Sequence, residues 1–165
     1  MSGFVLSQIL AGAAFCSDLL SFQLKERRSI LICLCVSSIL LSLHFFILGR
    51  ATAGAVVALS ALRFAASYFT TAQSVMYAFM AAAGAALLLT FSGTLSLLAC
   101  TASLVQTYAS FRPGDRRLRQ VMMGGTSLWI VHNALAWTPA AALIEVFFLL
   151  SNLIGYYRFY LRRPG

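Results

Sequence analysis

Lysine is almost absent: Lys25 is the single lysine among 165 residues. Because it lies in a loop, no Schiff base can form on the last helix, and a retinal-type photoreceptor is excluded. Charge of either sign is scarce too, at 10% of residues, where a soluble domain has about 25%. Against that scarcity, 61% of residues are hydrophobic and the mean hydropathy is +0.87, so the chain reads as an integral membrane protein. Prolines number three, and Pro113, Pro139 and Pro164 all fall at segment ends or in loops, which leaves no span with a proline kink. The four cysteines (Cys16, Cys33, Cys35, Cys100) have no CxxC spacing and no neighbouring histidine cluster, so they read as packed thiols. No GxGxxG, P-loop or Gly-x-Ser-x-Gly pattern occurs, and "MGGTS" at residues 123–127 reads as a close-packing site. Residues 1–14 contain no Lys or Arg, so they lack the basic start of a secretory signal, and the first apolar segment reads as a retained helix.

What is present is a succession of apolar segments of spanning length. A transmembrane helix takes about 20 residues, and charges, glycines and prolines divide the chain into seven pieces: residues 4–22, 29–48, 51–68, 74–91, 94–111, 118–136 and 138–160. Residues 74–111 as one helix would run about 57 Å, nearly twice the hydrocarbon thickness, so the chain must turn back at "FSGT". The predicted fold is an all-α, seven-helix membrane bundle forming a single domain over residues 1–165. Its net charge of +8 sits in clusters beside the segments, which predicts contact with lipid headgroups and no nucleic acid. Lys25, Arg27 and Arg28, then Arg112, Arg116, Arg117 and Arg119, then Arg158, Arg162 and Arg163 share one side, opposed by Arg50. The positive-inside rule gives an N-terminus outside and a cytoplasmic C-terminus.

The same pattern suggests a duplication. "KERR" at residues 25–28 precedes His44 much as "GDRR" at residues 114–117 precedes His132, and placing His44 on His132 runs without a gap to Tyr68 on Tyr156. Candidate repeats are residues 1–71 and 92–165, joined by a linker helix over 74–91, in the parallel arrangement of some transporters.

Polar groups inside such segments are functional candidates, because each is costly in hydrocarbon. Asp18 and Arg63 have opposite charge and one depth, which predicts a structural ion pair. Glu145 and Asn152, seven residues apart, point in nearly one helical direction and are expected to line one cavity. His132 returns to the depth of Glu145 across the "AWTP" turn, with Asn133 beside it, and is expected to hydrogen-bond that carboxylate; His44 takes the corresponding place on the second segment. His44, His132, Asn133, Glu145 and Asn152 are therefore the candidates for a path taken by a small polar solute or protons. No catalytic residue, cofactor or metal is assigned, since no HxxxH pair joins the two histidines. Trp129 reads as path lining or interfacial belt, Trp137 as belt, and Tyr156, Tyr157 and Tyr160 with their arginines as a surface anchor.

"LHFFILG" at residues 43–49, "AGA" at 53–55, Arg63, "WIVHN" at 129–133, Glu145, Asn152 and "ERR" at 26–28 together resemble the YgjV-type inner-membrane proteins of bacteria. The resemblance covers nearly the whole chain and implies residence in the cytoplasmic membrane. The three-one-three layout is similar to that of SWEET and PQ-loop small-solute transporters, although the Pro-Gln kinks of that group are missing and any hinge falls to Gly12, Gly54, Gly125 or Gly155. Three classes stay open: a solute transporter, a structural or partner-binding membrane protein without transport, and a membrane-embedded enzyme. A homo-oligomer is compatible with each.

Overall fold

The computed structural model describes residues 2–162, apart from the side chain of Thr52; Arg163 of the C-terminal basic cluster lies outside the described residues. Seven α-helices follow one another: α1 (Gly3–Ser21), α2 (Arg27–Ile47), α3 (Ala51–Phe69), α4 (Gln73–Thr90), α5 (Thr94–Ser110), α6 (Asp115–Leu135) and α7 (Pro139–Tyr156). A π-helical stretch, Tyr157–Leu161, continues α7 where the sequence predicts unbroken α-helix. Among the described residues there is no strand.

Local chemistry explains the boundaries. The Ser2 hydroxyl accepts from the Val5 amide at 3.3 Å and starts α1. Pro139 opens α7, where its missing N–H is no loss. Between α4 and α5 the chain reverses at Gly93, whose φ of 124° suits only a residue without Cβ.

By length and composition α1, α2, α4 and the α7 extension to Leu161 qualify alone as membrane spans. The apolar part of α3 (Ala53–Phe69) and the 17 residues of α5 are shorter, and α6 opens with Asp115, Arg116, Arg117 and Arg119. Part of the polar content of these three is buried against neighbouring helices: Arg63 and Ser67 of α3, Thr107 and Ser110 of α5, and Arg119 and Thr126 of α6. Large apolar side chains such as Leu88 (84% exposed) and Leu89 (86%) face outward, as they do in lipid. Cys16 is exposed as well, so it belongs to this outer surface and is not a packed thiol.

Two three-helix layers result. In one, α2 packs between α1 and α3; in the other, α6 packs between α5 and α7. They meet along α1 against α7 and α3 against α5, while α4 rides on α5 and α3 at the edge. An apolar core of Phe22, Ile30, Leu31, Leu34, Phe64, Ala109, Leu118 and Met122 ties both layers together. The helices keep a common register. α2 and α6 begin and end 88 positions apart (115 − 27, 135 − 47), and α3 and α7 begin at the same offset (139 − 51). The turns before α3 and α7 follow it too: Gly49 has φ 71° and Trp137 has φ 54°. Arg50 N–H donates to Phe45 O as Thr138 N–H does to Asn133 O, both at 2.9 Å.

One end of the bundle is clasped by arginines. The last carbonyls of a helix have no partner within it and suit a cationic donor. Arg119, fully buried, donates from Nη1 to Phe22 O (2.8 Å) and from Nη2 to Leu24 O, just past the end of α1. Arg27 donates to Arg112 O (2.6 Å) and Ser110 O (2.9 Å) at the end of α5, and to Ser67 O (2.6 Å) in α3. Arg158 takes Gln23 O at 2.6 Å, and the Tyr160 hydroxyl donates to the Asp115 carboxylate, which lies 3.9 Å from Arg119. The tyrosine and arginine cluster expected to be a surface anchor is thus partly a tie between α7, α6 and α1. Gly155 completes the knot: a Cβ there would overlap Phe22 O and come within 2.7 Å of Arg119 Nη1.

Candidate polar cavity between the two layers

A cavity of about 220 Å³ lies where the layers meet and is walled by α1, α2, α3, α5, α6 and α7. That volume equals about seven waters at roughly 30 Å³ each. Three of its walls carry ionisable groups. α1 supplies Asp18, one turn before its end, with Ser37 of α2 beside the carboxyl. Glu145 comes from the first half of α7, and Arg63 from the second half of α3. Ser38 and Ser60, the Gln106 amide and the Trp129 indole complete the polar lining. Arg63 is only 6% exposed; its Nη1 donates to Thr107 Oγ1 at 3.1 Å, and its Nε has no partner. A second cavity of about 420 Å³ opens between α4 and the helices α3, α5 and α6. Ser60, Arg63, Gln106 and Trp129 border both, so these side chains form the partition between them.

The expected site residues separate into three groups. Asp18, Arg63 and Glu145 share the first cavity. Asp18 and Arg63 are nonetheless not an ion pair, since among the described residues the only one within 4 Å joins Asp115 to Arg119. The reason is helix order: α3 packs on α5, so Arg63 reaches Thr107, whereas α1 packs on α2 and α7.

Asn152 does not join Glu145. Seven residues keep its direction but carry it about 10 Å along the axis, below the cavity, where it is buried and donates to Arg119 O at 3.0 Å. His132 does not reach Glu145 either. It turns toward the second cavity, with Nδ1 3.3 Å from Asn133 Oδ1 and its ring edge-on to Trp129. Asn133 lies at the turn, where its carbonyl accepts from Thr138 Oγ1 at 3.0 Å. His44 Nδ1 lies 2.8 Å from Ser7 O and ties α2 to the start of α1.

Two contributors escape a reading of the sequence. Gln106 is a lone amide in an apolar segment, a signal that was there to use, and it packs under Gly125 of "MGGTS". Arg119 stands at the start of the sixth segment and is grouped with the basic cluster beside it; only its spacing of four from Asp115 hints that it turns inward.

The family model Imp-YgjV, a bacterial inner membrane protein, matches residues 5–163. The inner membrane protein YgjV of Escherichia coli (strain K12) is 31% identical over 160 residues, which cover 97% of this chain and 87% of that protein. No solved structure matches the chain. With a family match along almost its whole length and several helices apolar enough to cross a bilayer, the chain belongs to the Imp-YgjV family and is a multi-pass protein of the bacterial inner membrane.

Proposed function

We propose that the protein carries a small polar solute along an approximate two-fold axis between two repeated three-helix units, with the 220 Å³ cavity as its binding site. The units are residues 1–71 and 92–165, and α4 is the linker that returns the chain so that both run in one direction. One observation carries this reading. Shifting by 88 positions pairs Asp18 with Gln106, Leu34 with Met122, Leu41 with Trp129, Val57 with Glu145 and Ser60 with Phe148, and all of these line the cavity. A pocket built from equivalent positions of both units sits on the axis relating them. Transporters made of repeats place their sites at such an interface, because rocking one unit against the other exposes it to each side in turn. The acceptors of the arginine clasp obey the same shift, Phe22 and Leu24 corresponding to Ser110 and Arg112 (110 − 22, 112 − 24), while the donors Arg27 and Arg119 lie one turn out of it (119 − 27 is 92). It holds the basic end shut in this conformation, and release on that side requires the carbonyls to part from the guanidinium groups.

Uptake into liposomes containing the purified protein tests the proposal. Glu145→Gln preserves shape and hydrogen bonding, so it should leave the melting temperature nearly unchanged while lowering saturable uptake roughly tenfold, the effect of losing one charge-assisted contact. Equal uptake by both proteins excludes Glu145 from the path. Absence of saturable uptake of any solute leaves the structural reading in place.

The basic end faces the cytoplasm in this scheme, with the N-terminus outside. Compartment reporters fused before Ser2 and after the C-terminus should therefore disagree. Reporters that agree would break the odd number of crossings and with it the parallel units.

A further inference from the structure

The approximate two-fold symmetry of the cavity is broken by charge. Both carboxylates, Asp18 and Glu145, come from α1 and α7, which pack together as one layer contact. Arg63 and Gln106 come from α3 and α5, the corresponding contact across the axis. Among the described residues neither acid has a basic partner within 4 Å, and the buried Arg63 keeps an unpartnered Nε at the cavity wall. The space is therefore dipolar, with acceptors on one wall and an unsatisfied cationic donor on the other.

From this arrangement we propose that the cavity takes a small zwitterion, its ammonium group against Asp18 and Glu145 and its carboxylate against Arg63. A purely cationic solute would leave the unpartnered Arg63 donor without an acceptor, an anion would leave the acidic wall without a donor, and a neutral polyol would bring a charge to neither. A zwitterion matches both walls at once. A volume of about 220 Å³ limits the solute to the size of a small amino acid. The inference rests on the transport reading for the role of the cavity, but binding and movement separate in the test.

Purified protein in nanodiscs would be titrated with alanine, β-alanine and γ-aminobutyrate, and in parallel with ethylamine, propionate and glycerol. At least one zwitterion should bind roughly tenfold or more tightly than the single-charge and neutral compounds, since each lost end removes a charge-assisted contact. Arg63→Gln should remove that preference over ethylamine, and Arg63→Lys should keep part of it. If Arg63→Gln does not fold, the comparison on the native protein decides. Ethylamine or glycerol binding as tightly as every zwitterion overturns the proposal, as does the absence of binding by all three zwitterions. Counterflow of the same compounds in liposomes distinguishes the two readings. Zwitterion binding without counterflow refutes transport and keeps the substrate class, whereas counterflow of glycerol alone does the reverse.

Discussion

Gly155→Ala should destabilise the protein by about 3 kcal/mol or more, at the upper end of what overpacking does, and sharply lower the amount of folded protein. The added Cβ falls on the Phe22 carbonyl oxygen and beside Arg119 Nη1. Neither is the loose end of a flexible side chain: the carbonyl is backbone at the end of α1, and the guanidinium is held by that same carbonyl. Relief therefore requires α1 and α7 to move apart, which also opens the hydrogen bonds from Gln23 Nε2 to Ser151 Oγ (2.9 Å) and from Ser151 Oγ to Leu19 O (2.6 Å). Gly124→Ala makes the control. Nothing lies within 4 Å of a Cβ there, so alanine should be neutral or stabilise α6 by up to about 1 kcal/mol through its helix propensity. Thermal melts of both variants in one detergent measure the contrast, and equal melting temperatures would show that the contact at Gly155 yields without penalty.

That a glycine at residue 155 sets the approach of two helices is not visible in the sequence, where it was only one of four hinge candidates. The helices themselves were legible, because apolar length, Gly93 and the loop charges act locally, and the predicted segment limits lie within about three residues of the observed ones, the usual uncertainty of helix ends apart. Position along each helix was legible for the same reason: rise per residue is fixed, and Asp18, Arg63 and Glu145 do line one cavity. Direction around the bundle was not. Whether Arg63 meets Asp18 or Thr107 depends on α3 lying against α5, and whether His132 meets Glu145 depends on how α6 is rotated. Neither helix order nor rotation is encoded by a period of 3.6 when almost every face is apolar. Asn152 shows the remaining gap: its spacing from Glu145 keeps one direction, but the two do not share a cavity, because the partner of Asn152 is Arg119 O in the first turns of the sixth segment.

Arg119→Leu should be the most damaging single change at the basic end, with a loss of about 3 kcal/mol or more, because hydrogen bonds to a charged donor contribute about 1.5 to 3 kcal/mol each. Leucine is shorter and apolar, so it fills only the inner part of the space and leaves Phe22 O and Leu24 O without their donor in a site from which water is excluded. It also removes the guanidinium that stacks over Phe159 at 5.2 Å and offsets the charge of Asp115. Arg119→Lys separates charge from shape. An ammonium keeps the favourable field at the end of α1 but reaches one carbonyl at a time, so about half of the loss should remain. Arg27 performs the matching task at the end of α5 from a half-buried position, where water can replace the lost donor, and Arg27→Leu should therefore be the milder change. The order expected in denaturation experiments is native, Arg27→Leu and Arg119→Lys together, then Arg119→Leu. If Arg119→Leu is as stable as the native protein, the α1 carbonyls find other donors, and the basic end is held shut by apolar packing of Phe22 and Leu118 alone.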